Sequence, residues 1–333
     1  MQAARRLRAE SDEVIVMLSH IVVPLDGSPS GEQVLPLAIH LAERDHAELE
    51  LVHVFEALAP FEVQGAPPID PELDSEITRE RQKYLERVAE RLRSSSSAKI
   101  KTRSLEGSDV VATLTAYLAE VHADLVILAT HGGGGLSKFL PGRVPSALVR
   151  NANAPVLLMP ASDSRGEPRR TFRKLLMPLD GTPMDEEAID DALALVVPNE
   201  AEFVLLNVRE PVAHFEQDAL TPDDLPELNE PNTAALQTYA ASEIEGGMED
   251  YLEAVARGIR SRGFTATAEV ISDRSPAKAI LTVADAREVD LIVAETRATD
   301  GIARFLRPRV LDKVIRDAHV PVLAHNHSNS HRP

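Results

Sequence analysis

The feature that most constrains this chain of 333 residues is that it repeats itself. Residues 20–29 read HIVVPLDGSP and residues 174–183 read KLLMPLDGTP. LELVHV at 49–54 is answered by FVLLNV at 203–208, ADLVILAT at 123–130 by VDLIVAET at 289–296, and APVLLM at 154–159 by VPVLAH at 320–325. The order of four matched segments is kept, so any fold must be two copies of one unit. The second copy carries extra residues between its second and fourth segments. We place the units at 14–161 and 171–326, joined by the polar linker ASDSRGEPRR at 161–170.

Each matched segment is a short run rich in Val, Ile and Leu, the pattern of a strand buried on both faces of a parallel sheet. Helical spacing lies between them. Val34, Leu37, Ala38 and Leu41 share one face of 29–44, and Leu73, Ile77, Tyr84, Leu85, Val88 and Leu92 share one face of 72–92. Two further helices are expected at 109–121 and 145–152, the second opening on Pro145. Strands alternating with helices give right-handed crossovers and an open α/β sheet covered on both faces. In the second copy the span 209–257 holds four interior prolines and many carboxylates but no interior Lys or Arg. Its first part, to 232, reads as an exposed loop, and 234–261 as a helix.

Composition narrows the partners. Fifty-three Asp and Glu against 35 Lys and Arg leave a formal net charge of −18, which repels nucleic acid and anionic membrane alike. The absence of cysteine removes disulfides, thiol catalysis and thiolate metal sites. Arg5, Arg6 and Arg8 precede an apolar run, but Glu10, Asp12 and Glu13 intervene, unlike a secretory signal. No apolar stretch approaches the roughly 20 residues of a membrane helix. We therefore expect a soluble, cytoplasmic protein.

In an open α/β sheet, ligands bind beyond the carboxyl ends of the strands, where strand order reverses. Two loops of the first copy lie there: Asp26-Gly27-Ser28, and the stretch THGGGGLSKFLPG at 130–142. Consecutive glycines let successive amides converge on an anion, and a helix starting nearby aims its amino end at the same spot. Asp-Gly-Ser is also ordinary turn chemistry, and His131 suits either a ligand contact or a loop. His53, ending a strand, reads as a structural residue. His325, His327 and His331 form a tail with adventitious metal affinity at most. There is no Walker motif, dinucleotide fingerprint, Gly-x-Ser-x-Gly elbow or His-Glu-x-x-His, so no nucleophile or metal centre is assembled.

With these residues in view, the chain resembles a tandem universal stress protein. That family's motif is Gly, two residues, Gly, nine residues, Gly, then Ser or Thr. Here Ala129, Gly132, Gly142 and Arg143 occupy the four positions, so the first and last depart. The resemblance implies a five-stranded parallel sheet per domain, of the adenine nucleotide alpha hydrolase-like, Rossmann-like kind. It also implies pairing of the two domains through their last strands and, in one subgroup, ATP binding. The positions matching that subgroup are Pro24, Asp26 and Val54 at the adenosine end, and Ala129, His131, Gly132, Gly142, Arg143 and Val144 at the phosphates, with Mg accompanying any bound ATP. In the second copy Arg297 and Pro308 replace the glycines, and a structural copy without ligand is expected. The first expectation is a stress-response sensor binding an adenine nucleotide in its first domain. A nucleotide-independent scaffold and a weak ATPase are the alternatives. A homodimer is compatible with either.

Overall fold

The computed structural model describes residues 7–10, 13–55, 71–130, 142–160, 171–181, 186–209, 233–296 and 308–326. The first copy supplies β3 (His20–Pro24), β4 (Glu48–Phe55), β5 (Lys99–Glu106), β6 (Leu125–Ala129) and β7 (Val156–Met159). The second supplies β8 (Lys174–Pro178), β9 (Glu202–Arg209), β10 (Thr265–Ser272), β11 (Leu291–Thr296) and β12 (Val322–Asn326). All five strands of each copy are parallel, in the order β7-β6-β3-β4-β5 and its counterpart β12-β11-β8-β9-β10. The two sheets are continuous. β7 and β12 pair antiparallel, with Leu157 opposite Leu323, and the result is one ten-stranded sheet. This is the pairing through last strands that the resemblance implied. Unforeseen is a hairpin ahead of the first unit, β1 (Leu7–Glu10) with β2 (Glu13–Val16).

In the first copy the strands are linked by α1 (Leu35–Asp45), α2 (Pro71–Arg93), α3 (Val110–Glu120) and α4 (Arg143–Asn151). The second copy has α5 (Glu186–Leu193), α6 (Thr233–Arg260), α7 (Pro276–Ala286) and α8 (Pro308–Asp317). Because side chains alternate along a strand, neighbouring residues enter different cores. Ile21, Val23, Leu49 and Leu51 pack under α1 and α2 with Leu37, Leu41 and Leu85. Val22, Val52 and Val126 pack under α3 and α4 with Leu114, Leu118 and Leu148. Each core runs without a break from one copy into the other.

Three local differences from expectation have simple causes. The segment 29–44 is not one helix: a 3₁₀ turn (Gly31–Val34) precedes α1, whose start is fixed by Pro36, a residue suited to the first turn because those amides have no intrahelical partner. The helix expected at Pro145 starts at Arg143, with Gly142 as its N-cap; proline is tolerated throughout the first turn for the same reason. The strands β5 and β10 escaped the apolar-run search because they are edges with one solvated face, such as KIKTRSLE. Lys99, Lys101 and Arg103 stud one edge, and such charges blunt strand-to-strand aggregation.

At the amino end of the first sheet a charged cluster lies almost out of solvent. His20 Nε2 is 3.0 Å from Glu50 Oε2, and Tyr117 donates to Glu50 Oε1 at 2.7 Å. Glu50 keeps only 5% of its side-chain exposure, and Arg103 adds a cation at 3.7 Å. The hydrogen bond to Glu50 lifts His20 above its usual 6.5 despite burial. Burial pushes Glu50 up, but the hydrogen bonds from His20 and Tyr117 more than offset it and hold the carboxyl below 4.5. Tyr117 is pushed up to about 12, by burial first and by Glu50 second.

A raised histidine stabilises the fold fully below 6.5, and that contribution is lost as pH rises through its folded pKa. A depressed carboxyl stabilises above 4.5, and its contribution is lost as pH falls through its folded pKa. The cluster therefore contributes most between pH 4.5 and 6.5. Denaturant unfolding of the parent should lose stability between pH 6 and 8, and His20→Gln should flatten that slope. An unchanged slope would remove His20 as its source.

Candidate functional site

In the first copy the chain runs from β3 through β4 to β5 on one side and then returns to place β6 on the other side of β3, so strand order reverses between β3 and β6. A cleft of about 810 Å³ opens there, beyond the carboxyl ends of the strands. That is near the upper end for small-molecule sites, about 300 to 1,000 Å³. Of the residues matched to the family's nucleotide contacts, Pro24, Asp26, Val54, Ala129, Gly142, Arg143 and Val144 line this one cleft. His131 and Gly132 lie outside the described residues.

The turn after β3 is held by its own side chains. Asp26 Oδ1 accepts from the Ser28 amide at 2.9 Å and the Ser28 hydroxyl at 2.6 Å, and Ser28 Oγ accepts from the Gly31 amide at 3.1 Å. Gly27 sits at φ +84°, where a side chain is strained, and its counterpart Gly181 has the same φ. At the end of β4, His53 Nδ1 lies 2.7 Å from the Leu25 carbonyl and must carry the proton there. Its ring meets Tyr84 edge-on at 6.4 Å. Thus His53, read from sequence as structural, both holds the β3 turn and lines the cleft.

The opposite wall is the amino end of α4. The Gly142 amide donates to Thr130 O at 2.8 Å, closing the base of the loop 131–141. The amides of Arg143 and Val144, in the first turn, have no intrahelical partner, and Pro145 has no amide hydrogen. Neither backbone nor packing requires glycine at 142: φ is −57°, and an added Cβ would meet Pro145 Cδ at an ordinary 3.4 Å. Ala129, in the place of a family glycine, ends a strand and is not among the positive-φ residues, so its methyl costs no backbone strain. The Arg143 side chain is 87% exposed and leans toward Asp109 at 3.9 Å. Asp109 caps α3 by accepting from the amides of Val111 and Ala112, and these bonds hold its carboxyl below the usual range.

Sequence reasoning missed the third wall. Glu80, Tyr84 and Arg87 of α2 line the cleft at helical spacing, and of these only Tyr84 belongs to the apolar stripe read for 72–92. Tyr84 donates to Glu32 Oε1 at 3.0 Å, and Arg91 reaches Glu32 Oε2 at 2.5 Å, tying α2 to the turn before α1.

The second copy keeps the frame and loses the space. Asn207 replaces His53 and donates from Nδ2 to the Leu179 carbonyl at 2.6 Å, doing the same work for the β8 turn. Its Oδ1 is buried without a hydrogen-bond partner among the described residues. Met248 of α6 lies against Gly181, with its methyl at the place a Cβ would take. Among the described residues, a pocket of about 10 Å³ lies between Pro178, Asp180, Val208 and Pro276. His325, read as part of a metal-prone tail, is instead buried in β12 with Nδ1 2.6 Å from Asp191. Among the described residues no cluster suits a metal ion. No described helix is long and apolar enough to cross a membrane.

Comparison with known proteins agrees with this architecture. The profile of the Universal stress protein family matches residues 17–160 and again 171–325. A universal stress protein of Mycobacterium tuberculosis is 24% identical over 306 residues, covering 91% of this chain and 95% of the relative. One from Methanocaldococcus jannaschii is 30% identical over 142 residues, 42% of this chain and 80% of its own. The crystal structure of a universal stress protein from Archaeoglobus fulgidus shares the fold at a TM-score of 0.59 and 16% identity, covering 93% of this chain and 97% of that one. Two successive matches spanning most of the sequence, on a duplicated parallel sheet joined through its last strands, make this chain a member of the universal stress protein family with two such domains in one polypeptide.

Proposed function

We propose that the first domain binds an adenine nucleotide, ATP with Mg in the first instance, and that occupancy serves as a sensor in stress adaptation in the cytoplasm. The observation that carries this reading is the contrast between pockets lined by described residues: about 810 Å³ in the first copy and about 10 Å³ at the matching strand ends of the second. The residues present fit the group. Val52, Val54, Leu114 and Leu128 give the cleft apolar walls for a base, and Asp26 offers a carboxylate at the turn for a sugar hydroxyl. Arg143 and Val144 amides at the α4 amino end suit phosphate. The second domain, with a pocket of only about 10 Å³ among the described residues at the matching place, acts as the structural half of the pair. Binding rather than turnover is the expected activity, with a weak ATPase as the alternative.

The test is direct. Native mass spectrometry of the purified full chain, then titration with ATP and Mg, should show one nucleotide per chain. Absence of binding at millimolar ATP sinks the reading and leaves the nucleotide-independent scaffold; two nucleotides per chain would contradict the closed second cleft. Formation of a homodimer can be read from the same spectra.

A further inference from the structure

The wall helix exists twice, and its two copies form an internal control. Tyr84-Leu85-Glu86 of α2 recurs as Tyr251-Leu252-Glu253 of α6, Val88-Ala89 as Val255-Ala256, and Arg93 as Arg260. What fastens the helix to its sheet is retained. Leu85, Ala89, Leu252 and Ala256 are fully buried. Arg93 donates to the Ile100 carbonyl at 2.8 Å, and Arg260 to the Ala266 carbonyl at 2.7 Å, each at the second residue of an edge strand. Two aligned positions differ in charge and line the open cleft: Glu80 becomes Gly247, and Arg87 becomes Ala254.

Glu80 is engaged with Lys83 at 2.7 Å. Arg87 is exposed and makes no hydrogen bond or ion pair among the described residues; only a longer-range attraction connects it to Glu80. The other cation of the cleft behaves differently, since Arg143 recurs as Arg309 in the closed copy and so does not track with an open site. The two also stand on different walls. α2 packs on the face of the sheet that Leu85 and Leu49 share, and α4 on the face of Leu148 and Val126. α2, which carries Arg87, packs against β4, whose end supplies His53, Val54 and Phe55 to the same cleft.

We infer that Arg87 recognises a second anionic group of the ligand, and that the preferred nucleotide carries a phosphate on its ribose as well as on the 5′ chain. The inference rests on the adenine nucleotide reading and on its placing the adenosine end beside β4. A guanidinium stays charged at any physiological pH and can grip phosphate through two parallel N–H bonds. With a net charge of −18 over the molecule, such a cation supplies the local attraction a doubly phosphorylated ligand needs.

Calorimetric titration of the full chain with AMP and with adenosine 3′,5′-bisphosphate tests this. The parent should bind the bisphosphate about tenfold more tightly than AMP, the scale of one charge-assisted contact. Arg87→Ala, which installs the residue of the second copy, should weaken the bisphosphate much more than AMP and so erase the preference; Arg87→Lys should restore part of it. Equal affinities in the parent, or a preference that survives Arg87→Ala, overturn the inference while AMP binding itself still supports the nucleotide site. If neither AMP nor ATP binds, the reading of the site fails and this inference falls with it. Thermal melting of each variant separates lost recognition from lost fold.

Discussion

Leu157→Asp is expected to unfold both halves of the protein in one transition at a much lower denaturant concentration. Leu157 and Leu323 are fully buried and directly opposite one another where β7 meets β12. An unpaired carboxylate there would meet apolar surroundings from both copies, and burying it costs several kcal/mol against a typical total of about 5 to 15 kcal/mol. The milder Leu157→Ala should cost about 2 to 5 kcal/mol, since the cavity lies in a packed core that cannot collapse freely. Because each core is continuous across the seam, far-UV circular dichroism should report a single cooperative step in both variants. Two separate steps, one at the parental midpoint, would mean that the copies are independent.

Gly142→Val should weaken ATP binding by about a hundredfold, near 2.7 kcal/mol, while costing the fold only about 1 kcal/mol through a poorer helix cap. The reasoning is that glycine at 142 answers no internal need. Its φ is negative and a Cβ has room against Pro145, so a side chain there projects where a phosphate would approach the α4 amides. The second copy has Pro308 at this position and a closed cleft. The comparison requires the variant and parent to melt within a few degrees, followed by titration with ATP and Mg. Parental affinity in a folded variant would move the phosphate site elsewhere.

Much of this was written in the sequence. The four repeated segments gave the inner strands because a strand buried on both faces must be apolar throughout. The outer strands β5 and β10 stayed hidden because one of their faces is wet, so Lys99, Lys101 and Arg103 interrupt the run. Part of the cleft was legible in Asp26 and Val54, which lie at strand ends, and in Gly142, which caps α4. Its α2 wall was not, since Tyr84 and Arg87 occur in a helix whose pattern reports only its apolar stripe. The missing glycines of the second copy pointed to a structural copy without ligand, but not to Met248 lying against Gly181, a contact between segments 67 residues apart that no local pattern encodes.

The antiparallel seam has a consequence for behaviour at dilution. Two separate chains joined through β7 and β12 would part as concentration falls, and their stability would depend on it. Here the ten residues 161–170 tether the partners, and a short tether holds them at an effective concentration in the millimolar range. Pairing is therefore unimolecular. The protein keeps its ten-stranded sheet however scarce it is in the cell, and its melting temperature should not change with protein concentration.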